Sequence, residues 1–258
     1  MTLKMNTANA RVVAKNEGYK AAIEKMLKAN GFKLDSLRPD IVFSAGGDGT
    51  YLIAENKFPG VPKVFIRDSS ICRKCDKSGL KDILEKLKSG DVCIEPNIKI
   101  KAKFKGRCFS AANDIIFRND DLTQAVRFTV SVNGRQINRI FIGDGLVVST
   151  PFGSTAYFYS ITRKKFRHGI GIAFNNITSG HKPIVVDEDS EIKITLVRNN
   201  AQLAFDNTKH PVLLKEGDSV IITKDSKKAK IVKVKCGFFG LLRKLGDLRY
   251  FGRRMSVY

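Results

Sequence analysis

The chain has 258 residues, 43% of them hydrophobic, enough apolar content for one large or two modest folded domains and too much for a disordered chain. No run approaches the ~20 apolar residues that a membrane helix needs, and residues 1–15 lack the apolar core of a signal peptide, so a cytoplasmic protein is expected. Lys and Arg total 46 against 25 Asp and Glu, and the net charge of +21 favours polyanions; because the lysines are dispersed, with no arginine-rich tract or aromatic RNA-binding motif, a proteome-wide lysine habit ranks first as its cause, phosphate-bearing substrates second and nucleic acid third.

In chain order, residues 11–14 read as a strand. Residues 17–30 read as a helix carrying Ala21, Ala22, Ile23, Met26 and Leu27, with Gly31 as its stop. The apolar run Ile41–Ala45 is a buried strand that ends at Gly46-Gly47-Asp48-Gly49-Thr50, and a short helix follows from about Thr50. Glycines at such a junction let the backbone approach a ligand. Its free N–H groups and the positive end of the helix favour phosphate. An acid inside that cradle repels phosphate unless it holds Mg²⁺ or takes a proton from an attacking hydroxyl. Asp48 is therefore the first catalytic candidate, although the string alone also fits a tight turn with a solvated Asp. A strand at Lys63–Ile66 and an amphipathic helix at residues 80–88, closed by Gly90, complete a βαβα pattern, which implies a parallel sheet.

From about residue 93 the period changes to two. Ile98, Ile100, Ala102 and Phe104 alternate with lysines, and Phe128, Val130 and Val132 lead into Asn133-Gly134, a hairpin signal. Asn113 and Asp114 stand at a strand start or in a pocket; they suit ribose hydroxyls, or they make an Asx-turn. Asp144, between two glycines, reads as a turn residue. Gly153-Ser154-Thr155-Ala156-Tyr157 offers hydroxyls, free N–H groups and an aromatic face that suit a nucleoside, while Ser154 or Thr155 also fits a helix N-cap. Strands at 184–186, 192–197, 203–205, 220–223 and 231–234 continue the β region. The apolar, basic tail from Cys236 reads as a closing segment on the first domain. The expected fold class is an α/β N-terminal domain with a parallel sheet (1–92), an all-β sandwich-like C-terminal domain (93–234) and a returning segment (235–258). The five cysteines, an odd number, argue against a disulfide framework; Cys72 and Cys75 have CxxC spacing without a second pair, so ordinary thiols are expected, with a redox or metal role as the minor reading. His168, His181 and His210 form no catalytic arrangement.

Three segments, Gly46 to Thr50, Ala111-Ala-Asn-Asp-Ile-Ile-Phe117 and Gly143-Asp-Gly-Leu-Val-Val-Ser-Thr-Pro-Phe-Gly-Ser-Thr-Ala-Tyr-Phe-Tyr-Ser160, resemble in order and spacing the signatures of the NAD kinase family. The first is shared with diacylglycerol, sphingosine and 6-phosphofructokinases; the third is long and specific. The resemblance spans nearly the whole chain. It implies two domains meeting at a site where a phosphoryl group passes from ATP, or in some members polyphosphate, to the 2′-hydroxyl of the adenosine ribose of NAD, giving NADP. It implies Mg²⁺, or another divalent ion, carried by the nucleotide phosphates, and a homo-oligomer, dimer or tetramer. Carried over by motif, Asp48 is the base or orienter of that hydroxyl. Gly46, Gly47, Gly49 and Thr50 shape the phosphate cradle. Asn113, Asp114, Asp144, Thr155, Ala156, Tyr157 and Ser160 hold NAD. Asp206, in Leu203-Ala-Phe-Asp-Asn207, resembles a strand acid that reaches a neighbouring subunit's site. The chain departs from the family after Tyr157, at 64–74 and at Lys182-Pro-Ile-Val, and the basic residues Arg67, Arg73 and Lys74 fall in the second departure. The alternatives are another kinase of the superfamily, acting on a lipid or sugar, and a basic nucleic-acid-binding protein.

Overall fold

The computed structural model describes residues 8–35, 37–66, 79–137 and 139–234, and the expectations for Arg67, Arg73, Lys74, Cys72, Cys75 and the 235–258 tail lie outside them. The described strands and helices run β1 Asn9–Ala14, α1 Glu17–Ala29, β2 Lys33–Leu34, β3 Ile41–Ala45, α2 Asp48–Lys57, β4 Lys63–Ile66, α3 Leu80–Ser89 and β5 Val92–Asn97. They continue with β6 Ile100–Phe104, β7 Arg107–Ala111, β8 Asp114–Asn119, β9 Val126–Val132, β10 Arg135–Gln136, β11 Phe141–Gly143, β12 Gly145–Ser149 and α4 Tyr157–Thr162. The last are β13 Ile170–Asn175, β14 Ile184–Val186, β15 Ile192–Arg198, β16 Ala201–Phe205, β17 Val212–Leu214, β18 Ser219–Lys224 and β19 Ala229–Val234. Two compact units result, one built from the described residues up to Gly47, from Pro62–Glu95 and from Ile231 onward, the other from Asp48–Val61 and Pro96–Lys230.

The first unit is the expected α/β layer. Its sheet has the order β2-β1-β3-β4-β19-β5, with parallel pairing of β1 to β2 and β3, of β3 to β4 and of β4 to β19. Every residue of Ile41–Ala45 is buried, as a strand covered on both faces requires. Val12, Phe43 and Ile66 of the sheet pack with Ile23 and Leu27 of α1 and Ile83, Leu84 and Leu87 of α3. The Asn16 side chain accepts the Tyr19 N–H at 2.9 Å and caps α1. The strand at 231–234 was expected among the β-domain hairpins; it lies instead between β4 and β5 in this parallel sheet. A short apolar run does not by itself say which sheet it joins.

The second unit holds two antiparallel sheets, β10-β9-β15-β18-β6-β7 with β11 also on β9, and β14-β13-β12-β8-β16-β17. Their inward residues form one core, with Phe117, Phe128, Phe141 and Phe174 in successive ring contacts at 5.2, 5.5 and 4.5 Å. Asn133 and Gly134 take φ of 50° and 78° and close the β9–β10 hairpin, as that dipeptide predicts. Helix α2 starts at Asp48, two residues before the expected start, and groups with this unit rather than with residues 1–92. Its Tyr51 and Glu55, both fully buried, explain the grouping: Tyr51 meets Phe152 at 5.2 Å, and Glu55 accepts from Lys99 at 3.0 Å. Among the described residues no helix is long and apolar enough to cross a membrane.

Candidate active site

The strand-to-helix junction carries the first motif. Gly46 has φ of 148°, where side chains are rarely tolerated, and donates its N–H to the Ile66 carbonyl at 3.0 Å. Gly47 and Gly49 differ from it. Neither has a positive φ; a Cβ on Gly47 would meet nothing within 4 Å, and one on Gly49 only the Asn207 amide nitrogen at 4.0 Å. Among the described residues nothing packs so as to require glycine at these two positions, and their missing side chains leave room over the backbone there. Asp48, half-buried, opens α2. Thr50 is 1% exposed, and its hydroxyl has no hydrogen-bond partner among the described residues.

The second and third motifs are locked together within the β unit. Asn113 and Asp114 are 6% and 5% exposed at the start of β8, and the register pairs Asp114 with Ser149. The Asn113 carbonyl accepts the Thr150 N–H at 2.9 Å, and the Thr150 hydroxyl donates to the Ala112 carbonyl at 2.6 Å. The Gly153 N–H donates to that same hydroxyl at 3.0 Å. A Cβ on Gly153 would stand 2.1 Å from the Asn113 carbonyl oxygen, so here glycine is demanded by close approach. Ser154 donates to the carbonyls of Pro151 at 2.7 Å and Phe166 at 3.1 Å. The N-cap of α4 is Ala156, so the cap expected from Ser154 or Thr155 is not formed. Helix α4 places Tyr157 at half burial and Ser160 in solvent, and it ends at Arg163 with φ of 57°.

Asp144 and Tyr157 converge on the end of β13. Asn175 donates to the Tyr157 hydroxyl at 3.5 Å, the Asp144 N–H donates to the Asn175 carbonyl at 3.2 Å, and Asn176 donates to the Asp144 carboxylate at 3.3 Å. Asp206 is turned onto its own chain. Its carboxylate accepts backbone N–H groups from Ala112 at 2.8 Å, Asn113 at 2.7 Å and Asp114 at 3.3 Å. Burial pushes its carboxyl above the usual range of such groups, against the pull of those three donors and of Lys99. Burial, then the charges of Glu55 and Asp206, push the Tyr51 hydroxyl far up as well, so Tyr51 stays neutral. Among the described residues no three His, Cys, Asp or Glu side chains gather to hold a metal.

Residues 112–234 match the family model described as the ATP-NAD kinase C-terminal domain. The chain is 29% identical to the NAD kinase of Sulfurisphaera tokodaii over 255 residues, 94% of this chain and 97% of that one. It is 27% identical to the NAD kinase of Methanocorpusculum labreanum over 238 residues, 87% of each. The chain is similar to NAD kinases over nearly its whole length. The fold of an Archaeoglobus fulgidus NAD kinase solved in complex with ATP superposes with a TM-score of 0.74 at 20% identity, covering 92% of this chain and 98% of that one. Yeast NADH kinase complexed with NADH gives 0.70 at 19% identity, over 88% and 71%. Several residues around this candidate site escaped the motifs. Thr150 lies inside the third motif, and its hydroxyl was the available signal. Asn207, Asn175 and Asn176 are ordinary turn and strand-end residues in the sequence. Only folding places them beside Gly49, Tyr157 and Asp144.

Proposed function

We propose that this protein phosphorylates the 2′-hydroxyl of the adenosine ribose of NAD with ATP, giving NADP. The observation that carries the reading is the fastening of Gly153 and Thr150 onto Asn113, which brings the segment ending in Tyr157 beside the Asn113–Asp114 pair. In this reading Asn113, Asp114, Asp144, Thr155, Ala156, Tyr157 and Ser160 hold NAD, Tyr157 giving a ring face and the others partners for the ribose. Gly46, Gly47, Gly49 and Thr50 receive the donor phosphates: the open space over Gly47 and Gly49 admits them, and the N–H groups at the head of α2 favour their charge.

Asp48 accepts the proton of the 2′-hydroxyl as its oxygen bonds to the γ-phosphorus; the bond from that phosphorus to the β,γ-bridging oxygen breaks, and ADP leaves. Such transfers depend on positioning and charge stabilisation more than on covalent help from the protein. A Mg²⁺ ion, or another divalent ion, would be carried by the nucleotide phosphates, with the Asp48 carboxylate the nearby protein group that could hold it. When bound, that ion neutralises charge on the phosphates. Polyphosphate carries the same anhydride linkage and is the second donor under this reading. The active unit in this reading is a homo-oligomer, for which closed symmetry is the usual arrangement, working in the cytoplasm.

The test is incubation with NAD and either Mg-ATP or Mg-polyphosphate, read by an NADP-specific dehydrogenase. NADP formation is expected. No NADP from either donor, with phosphoryl transfer to a lipid or sugar acceptor instead, would move the chain to another substrate of the superfamily. Steeply salt-dependent nucleic-acid binding without any transfer would make it a binding protein.

A further inference from the structure

The turn after β16 is absent from the first two motifs and lies about fifty residues beyond the third, yet it touches two of them. Asp206 has φ of 50°, a left-handed position that Asp and Asn tolerate better than most residues. From there its two oxygens take the N–H groups of Ala112, Asn113 and Asp114, and its own N–H donates to the Asp114 carbonyl at 2.9 Å. The next residue faces the other way. Asn207 donates its side-chain N–H to the carbonyl of Gly49 at 2.9 Å, one residue after Asp48. Two neighbouring side chains thus hold segments that lie 93 and 158 residues away in sequence.

We propose that Asp206 and Asn207 are a pair of positioning residues: Asp206 sets the backbone that presents Asn113 and Asp114 to NAD, and Asn207 sets the head of α2 that presents Asp48. The inference rests on the functional reading above. The chemistry of the two bonds fits different duties. A carboxylate accepting several backbone N–H groups is a strong, charge-assisted anchor. A neutral amide on one exposed carbonyl contributes little to folding, so its worth lies in where it holds Gly49. A displacement of about 1 Å at a reacting group is enough to cost ~10²-fold in rate.

The pair is separable by experiment. Asn207→Ala, and Asn207→Asp, which keeps the shape and removes the donor, are expected to lower kcat tenfold or more, with the KM for NAD and the melting temperature unchanged. Asp206→Asn is expected to raise the KM for NAD about tenfold, with a smaller effect on kcat. Amide exchange at Ala112, Asn113 and Asp114 should be faster in that variant, as read by NMR or mass spectrometry. A wild-type kcat in Asn207→Asp overturns the role of Asn207. Unchanged exchange at residues 112–114 in Asp206→Asn overturns the role of Asp206. If the wild-type protein makes no NADP, the kinase reading fails, while the exchange measurement still judges the Asp206 anchor by itself.

Discussion

Gly153 lies so close to Asn113 that a Cβ on the glycine would come within 2.1 Å of the asparagine's carbonyl oxygen. Gly153→Ala must push β8 and the Ser149–Tyr157 segment apart. It is expected to cost about 1–3 kcal/mol, the usual range for overpacking, and to raise the KM for NAD. Gly47→Ala is the opposite case. Its new methyl group meets nothing within 4 Å among the described residues, so the melting temperature should hold while the KM for ATP rises. A Gly47→Ala enzyme with an unaltered KM for ATP would show that no phosphate lies over that backbone.

Asp48→Asn keeps the size of the side chain at the head of α2 and removes its ability to accept a proton. NAD binding by calorimetry is expected to stay at the wild-type level. Turnover is expected to fall by about 10²–10⁴, the usual contribution of a positioned general base. A variant that turns over at the wild-type rate would exclude Asp48 from the chemistry.

Glu55 and Lys99 form a buried ion pair, 0% and 3% exposed at the side chain. Removing one charge strands the other, which typically costs about 3–5 kcal/mol. Glu55→Gln is expected to lose a large part of the stability, and Glu55→Gln with Lys99→Met to recover much of it, in urea denaturation. Simple addition of the two single losses in the double variant would mean that the charges do not depend on each other.

The raised carboxyl of Asp206 makes an unusual contribution to stability against pH. Its folded-state value lies above the ordinary 3.8, so as pH rises the unfolded chain ionises first. Stability from this group is therefore highest below 3.8 and falls until the pH passes the folded-state value. Lys99, whose charge opposes the rise, Tyr51, which feels the charge of Asp206, and Asp114, whose N–H donates to it, are ionisable groups that face it. Thermal melts from pH 3 to 7 should show this decline in the wild type and a flatter curve in Asp206→Asn. Parallel curves would mean that Asp206 titrates as an exposed carboxyl does.

Locally coded features were legible in the sequence. The run Ile41–Ala45 before the glycines, the Asn133-Gly134 hairpin and the third motif leading into Tyr157 each state their structure within a dozen residues. The unit to which α2 belongs was not legible. The helix buries Thr50, Tyr51, Leu52, Ala54 and Glu55 and therefore has no single apolar stripe to say which neighbour it seeks. The resemblance gave Asp206 a role in a neighbouring subunit. Its carboxylate is employed on residues of its own chain 92 to 94 positions earlier, a distance at which no local pattern speaks. Asn207 is the extreme case: before folding, nothing connects a turn amide with a carbonyl 158 residues away.

The place of β19 between β4 and β5 governs the order in which the molecule can be made. A chain grows from its N-terminus, so all the strands of the β unit are available before residues 231–234 leave the ribosome. The sheet that begins at Asn9 must wait for them, with a slot one strand wide between two partners already synthesised. Until then β4 and β5 present open edges of the kind that invite pairing with other chains. A stop introduced just before Ile231 would therefore do its damage at the far end of the sequence's logic: it would keep every residue of the later-built unit and leave the earliest-built sheet incomplete.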